Sequence, residues 1–258
     1  MSKGGSKFRR VLASVKSVVL SIVVEFIYLL PPGTFKHKMV GNLVRHKVYN
    51  RKCISKLLAS YGEVVLHGGI WRLETVLYWV EAVGDKGELI AVEADTESSE
   101  ILSYDLYRRD IHNVTIINKG LTSYKGIAKL QTSSYSRINQ LKVHNHFISD
   151  DEYAEEIDVA VDRLDNIIES TGKKIDLVCL SISGAEKDAI DGMPALLEKG
   201  CRFWVSSIFA DREDQADSPF KKVVAVLKEY GYNIYLTPVD KNKMGNRSIY
   251  AFKSPVAS

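Results

Sequence analysis

The chain has 258 residues, of which 45% are hydrophobic, with three cysteines and a formal net charge of +3. That length and apolar content suit one large core carrying an extension. The odd, unpaired spacing of Cys53, Cys179 and Cys201 argues against a disulfide framework and a zinc knuckle, and for a reducing, cytoplasmic compartment. The charge is unevenly divided. Residues 1–60 hold 12 Lys and Arg against a single acid, Glu25, whereas the remaining 198 hold 23 against 31, so the two parts of the chain suit different partners.

The first periodic segment is VLASVKSVVLSIVVEFIYLL, residues 11–30, closed by Pro31-Pro32-Gly33. Its length matches a bilayer span, but Lys16 and Glu25 lie inside it and each is costly at the bilayer centre. Ser14, Ser17, Ser21, Glu25 and Tyr28 recur every three or four residues as a polar stripe, and Val11, Val15, Val18, Val19, Ile22, Val23, Phe26 and Ile27 cover the rest. Such a helix suits a membrane interface, where Lys3, Lys7, Arg9, Arg10, Lys36 and Lys38 face anionic lipid, or it docks on its own domain. No small-residue cleavage site follows the apolar run, which argues against a cleaved signal peptide. The expectation is an attachment segment over residues 1–60, peripheral on the inner face of a membrane, ahead of a domain over 61–258. Nucleic acid is the less favoured polyanionic partner.

From residue 63 strands and helices alternate. Val64 to Leu66 reads as a buried strand, Gly68-Gly69 as a turn, Glu74 to Val83 as a helix and Glu88 to Glu93 as a second strand. The unit ends in an acid, Glu93, about 20 residues past the glycines, a spacing that suits an adenosine ligand. Glycine lets backbone come close to such a ligand, and the carboxylate accepts hydrogen bonds from ribose hydroxyls. The pattern continues with a helix over Thr96 to Arg109 and strands over Val114 to Asn118, Ile127 to Gln131 and Glu156 to Val161. Next come a helix over Asp162 to Ser170, a strand over Ile175 to Ile182 and an interrupted helix over Ala185 to Glu198. A strand over Phe203 to Ile208, a helix over Pro219 to Tyr230 and a hairpin of Asn233 to Leu236 with Ser248 to Phe252 complete it. This alternation predicts an α/β, Rossmann-like fold: a mostly parallel sheet covered on both faces, a closing antiparallel hairpin and a ligand at the carboxyl ends of the strands.

Taken together, the glycine turn, ETVLYWVEAVGDKGELIAVEAD, VDRLDNII, LVCLSISGAEKDAIDGM and GYNIYL resemble the FkbM-type methyltransferases over about residues 60–252. The resemblance implies a class I fold, S-adenosylmethionine as cofactor, and methyl transfer to a hydroxyl of a glycan, lipid-linked sugar or related small acceptor. It implies cofactor contacts from His67, Gly68, Gly69, Glu74, Thr75, Glu93 and Ala94, and catalytic roles for Glu186 and Ser181. Aligned on Glu74-Thr75, the family's first motif has His67 in place of its acid and Leu73 in place of its last glycine. In its second signature, Cys179, Ser181 and Ser183 stand where the family has lysine, aspartate and glutamate, while Gly184, Ala185 and Glu186 remain.

These exchanges have physical content. Imidazole lacks the attraction of a carboxylate for the cationic methionyl end of the cofactor, leucine adds bulk where glycine gives none, and serines are neither anionic bases nor good metal chelators. The alternative function is therefore a non-catalytic binding or scaffold module. For Glu186, at a helix start, stabilisation by the helix dipole competes with a chemical role. His144, His146, Asp150 and Asp151 carry metal-donor atoms without a repeated ligand frame, and read as a solvated loop or as part of a cover over the cofactor.

Overall fold

The computed structural model describes residues 18–49, 53–132, 139–142, 155–207, 218–239 and 247–254. Three helices lead: α1 over residues 18–29, α2 over Thr34–Arg45 and α3 over Ile54–Leu58. The alternating part then runs β1 Val64–Gly68, α4 Leu73–Val83, β2 Glu88–Glu93, α5 Thr96–Arg108, β3 Val114–Asn118, β4 Gly120–Leu121, β5 Gly126–Thr132, β6 Gln140–Leu141 and β7 Glu155–Asp162. It continues through α6 Leu164–Thr171, β8 Leu177–Leu180, α7 Glu186–Asp191, α8 Pro194–Lys199, β9 Arg202–Ser207, α9 Pro219–Glu229, β10 Asn233–Leu236 and β11 Arg247–Phe252.

Seven strands form the main sheet in the order β10-β11-β9-β8-β1-β2-β3. β9, β8, β1, β2 and β3 pair in parallel, and β11 is antiparallel to both β9 and β10. The closing hairpin expected from the sequence is therefore inserted, with β11 inside and β10 at the edge. Successive side chains on these strands point to opposite faces, and the core divides accordingly. Leu66, Ile90, Val178 and Phe203 face α6 to α9, while Val65, Leu89, Ala91, Leu177 and Cys179 face α1 to α5. Cys179 and Cys201 are free and buried in these apolar layers.

The helix boundaries follow local chemistry. Asp95 caps α5 by accepting from the Glu97 N–H. Pro194 and Pro219 open α8 and α9 in the first turn, where a missing N–H costs nothing, so Pro194 starts a second helix where the sequence reads as a single interrupted one.

Two expectations need correcting. The strands at 126–132 and 155–162 do not join the parallel sheet: β5 and β7 pair antiparallel and, with β4 and β6, form a separate sheet in the order β4-β7-β5-β6. Asp162 closes β7 instead of opening a helix. Within the described part of the leading segment, Ile27, Val40, Val44, Leu57 and Leu58 are fully or nearly fully buried in the same layer as β1 and α4.

Two residues of the polar stripe, Tyr28 and Glu25, reach the rest of the protein, while Ser21 stays exposed. Tyr28 Oη donates to the Ala82 carbonyl at 2.7 Å, and Glu25 pairs with Lys56 at 3.0 Å. Lys36, expected at a lipid surface, is buried and donates to the Tyr28 and Leu30 carbonyls and to Ser60 Oγ. Among the described residues no helix is long and apolar enough to cross a membrane.

Candidate functional site

The site is built on the turns that leave β1, β2, β3 and β8 at their carboxyl ends. Gly69 follows β1 with φ of +78°, a region glycine enters without steric cost. Its N–H donates to the Val92 carbonyl at 2.9 Å, and a Cβ there would lie 2.2 Å from the Ser181 carbonyl oxygen. The Ser181 N–H donates in turn to the Gly68 carbonyl at 3.0 Å. The turns after β1 and β8 are thus joined backbone to backbone, and two adjoining cavities share Gly69, Trp71 and Ser181 in their walls.

The first cavity, of about 110 Å³, lies over the ends of β2 and β3. Glu93 opens into it while 8% exposed. Its Oε1 accepts from the Asp95 N–H at 2.9 Å. Burial pushes this carboxyl up to about 7, against the backbone N–H groups of Asp95 and Ala94 and with a further push from the Asp95 charge. Asn118 at the end of β3 fixes this corner by donating to the Glu93 and Ala94 carbonyls at 3.0 and 3.2 Å. Asn139 donates to the Asp95 carboxylate at 3.1 Å and brings in the second sheet, whose Leu130 and Leu141 wall the cavity with Leu121 and Ile182. Lys119 also lines it, ion-paired to Asp162 at 2.8 Å.

The second cavity, of about 330 Å³, lies between α3, α4 and the ends of β1, β8 and β9. Trp71, Tyr78, Trp79 and Trp204 supply aromatic surface, with hydroxyls from Ser55, Thr75, Ser181 and Ser206 and the Arg72 guanidinium, which stacks on Trp71 at 4.1 Å. His67 lines this cavity, packed against Trp79 with ring centroids 5.8 Å apart. Burial lowers its imidazole to about 4, the Gly68 backbone acting in the opposite sense, so the ring is neutral at neutral pH. His67 Nδ1 and Ser55 Oγ are buried without a hydrogen-bond partner.

The residues expected at the site are therefore distributed unevenly. Glu93, Ala94, Gly69 and Ser181 line the first cavity, and His67, Gly69, Thr75 and Ser181 the second. Gly68 shapes the turn from inside β1, where a Cβ would meet Leu121 at 2.6 Å. Glu74 lies outside both cavities, exposed on the first turn of α4 and accepting from Tyr78 Oη. Leu73 opens α4 and packs into the core, so it adds no bulk to either cavity. Glu186 is buried but turned back into its own turn, where it accepts from the Ile182 and Gly184 N–H groups at 3.1–3.3 Å. That turn places Ser183 at φ of +51° and Gly184 at +102°, and the Glu186 carboxylate ties it together. Burial raises this carboxyl to about 7 as well.

Trp71, Arg72, Trp204, Lys119 and Asn139 were not picked out from the sequence. Lys119 directly follows β3, and the rule that ligands sit at carboxyl ends of parallel strands points to it. Trp204 and Asn139 carry no such signal, since tertiary packing alone brings them there. His144, His146, Asp150 and Asp151 lie outside the described residues. Among the described residues no three His, Cys, Asp or Glu side chains gather as metal ligands.

The strand order with its inserted antiparallel β11, the glycine turn after β1 and the acid closing β2 define a class I methyltransferase fold. Residues 63–234 match the family model described as the Methyltransferase FkbM domain, and the chain belongs to that family. No curated protein matches it. Solved structures similar to it include a SAM-dependent methyltransferase from Aquifex aeolicus, at 12% identity over 84% of this chain and 97% of that one, with a TM-score of 0.45. Others are cofactor-bound Rv0187 from MTB, at 10% identity over 93% and 90% with a TM-score of 0.48, and an O-methyltransferase from Bacillus cereus in complex with SAH, at 11% over 93% and 91% with a TM-score of 0.46.

Proposed function

We propose that this chain binds S-adenosylmethionine across the two adjoining cavities and transfers its methyl group to a hydroxyl of a glycan, lipid-linked sugar or related small acceptor. The observation that carries the reading is Glu93, a buried carboxylate at the end of β2 opening into a cavity with apolar walls. One oxygen is held by Asp95, so the carboxylate is oriented before any ribose hydroxyl arrives. Ala94, Leu121, Leu130 and Ile182 offer apolar walls to the heterocycle. Arg72 is the cation suited to the carboxylate of the methionyl end, with Thr75 and Ser181 as hydroxyl partners.

When bound, the cofactor supplies an electrophilic methyl group whose transfer needs mainly in-line approach of the acceptor oxygen. This chain's residues supply position more than charge. Trp71 and Trp204 present flat apolar faces suited to a sugar ring, and Ser206 presents a hydroxyl. His67 adds a neutral ring to the wall of this cavity.

A second reading, a non-catalytic binding module, has one observation in its favour: Glu93 is the only carboxylate among the described residues that line the two cavities. Titration calorimetry with S-adenosylmethionine and its demethylated product tests the proposal. Binding of both ligands is expected, and heat from neither rejects the cofactor reading. Binding without methyl transfer to any sugar hydroxyl in an acceptor screen favours the module.

A further inference from the structure

The outward face of α1 is apolar and exposed. Val18, Val19, Ile22, Phe26 and Leu29 recur at helical spacing and are 54–78% exposed, and Phe35 at the start of α2 is 70% exposed. The helix cannot roll to hide them, because its other side is fixed by buried Val24 and Ile27, by the Tyr28 bond to Ala82 and by the Glu25–Lys56 pair. A contiguous apolar face of this kind marks a contact surface.

Charge says what covers it. Residues 1–17 carry Lys3, Lys7, Arg9, Arg10 and Lys16 and no acid, and exposed Lys38 lies three residues past Phe35. An apolar helix face within a strongly basic stretch of sequence is the chemistry of a helix lying on an anionic bilayer. A second copy of the chain fits less well, because both copies carry the same excess of cations over residues 1–60. We propose that the outward face of α1, continued by Phe35, docks the chain on an anionic lipid surface, its side chains at the headgroup boundary and the neighbouring cations against lipid phosphates.

The test is sedimentation of the full-length chain with phosphatidylcholine vesicles, with and without phosphatidylglycerol. The chain pellets with the anionic vesicles, and less so as added salt screens the cations. The double substitution Ile22→Glu with Phe26→Glu lowers the bound fraction about tenfold or more, since two large apolar side chains no longer enter the boundary. Its melting temperature stays at the wild-type value, because both side chains are exposed. Should it melt early, Leu29→Ser with Phe35→Ser serves in its place. Wild-type protein left in the supernatant with anionic vesicles at low salt overturns the proposal, as does a folded variant that pellets like wild type. So does a wild-type dimer that the variant converts to monomer in the absence of vesicle binding, which assigns the face to a second copy.

Discussion

Glu93 and Glu186 are chemically alike, each buried and raised to about 7, yet one opens into a cavity and the other ties down a turn. Their substitutions therefore report on different things. Glu93→Ala is expected to weaken S-adenosylmethionine by about 1–3 kcal/mol, the range for losing a charged hydrogen-bond partner, and calorimetry measures it. Because ribose hydroxyls favour the ionised carboxylate, wild-type affinity should climb as pH rises through about 7, and Glu93→Gln should flatten that rise. Glu186 reads out in stability. Its folded value lies above the ordinary 4.5, so its contribution is complete below that pH and is lost as pH climbs through about 7. Glu186→Gln removes this loss, and its melting temperature should gain on wild type between about pH 5 and pH 8. A constant difference across that range rejects the assignment. His67 acts the other way: its value is lowered to about 4, so its contribution is present above 6.5 and lost as pH falls. At this scale the sequence locates Glu93, because the strand pattern that follows the glycine turn ends on it and the end of that strand opens into a cavity. It hides the orientation of Glu186, which depends on the positive φ of Ser183 and Gly184.

At the scale of elements, α1 is the sharpest contrast between pattern and placement. The periodicity shows a polar stripe and an apolar face, but it does not say which side docks. The docked side is set by Val24 and Ile27, which are buried, with Tyr28 and Glu25 beside them finding partners in Ala82 and Lys56. Two substitutions on the one helix separate the roles. Ile27→Ala should cost about 2–5 kcal/mol in urea denaturation, whereas Ile22→Ala on the exposed side should stay within about 0.5 kcal/mol. Similar costs for both would mean that α1 packs otherwise. The second sheet was partly legible. The alternation of Glu156, Asp158 and Ala160 with Ile157, Val159 and Val161 is that of a strand with one face exposed, unlike the continuously apolar β1 and β8. Its partner strands are set by contacts distant in sequence, which no local pattern records.

For the whole molecule, the boundary near residue 60 is one of charge and not of folding. Charge describes the surface, and the core crosses that boundary. Arg202 at the start of β9 is buried and donates to the Leu58 carbonyl and to the Glu63 carboxylate, so the sheet reaches back into the leading helices. A chain beginning at Tyr61 loses that acceptor together with Ile27, Val40, Val44, Leu57 and Leu58, and it should show no cooperative thermal transition by circular dichroism; a normal melt would restore residues 1–60 as an independent segment. The close approach of Gly69 to the Ser181 carbonyl has a wider meaning. Main chain, with no room for even a methyl group between the two turns, joins the walls of both cavities at Gly69 and Ser181. Side chains around that junction can be exchanged while the junction itself keeps its shape.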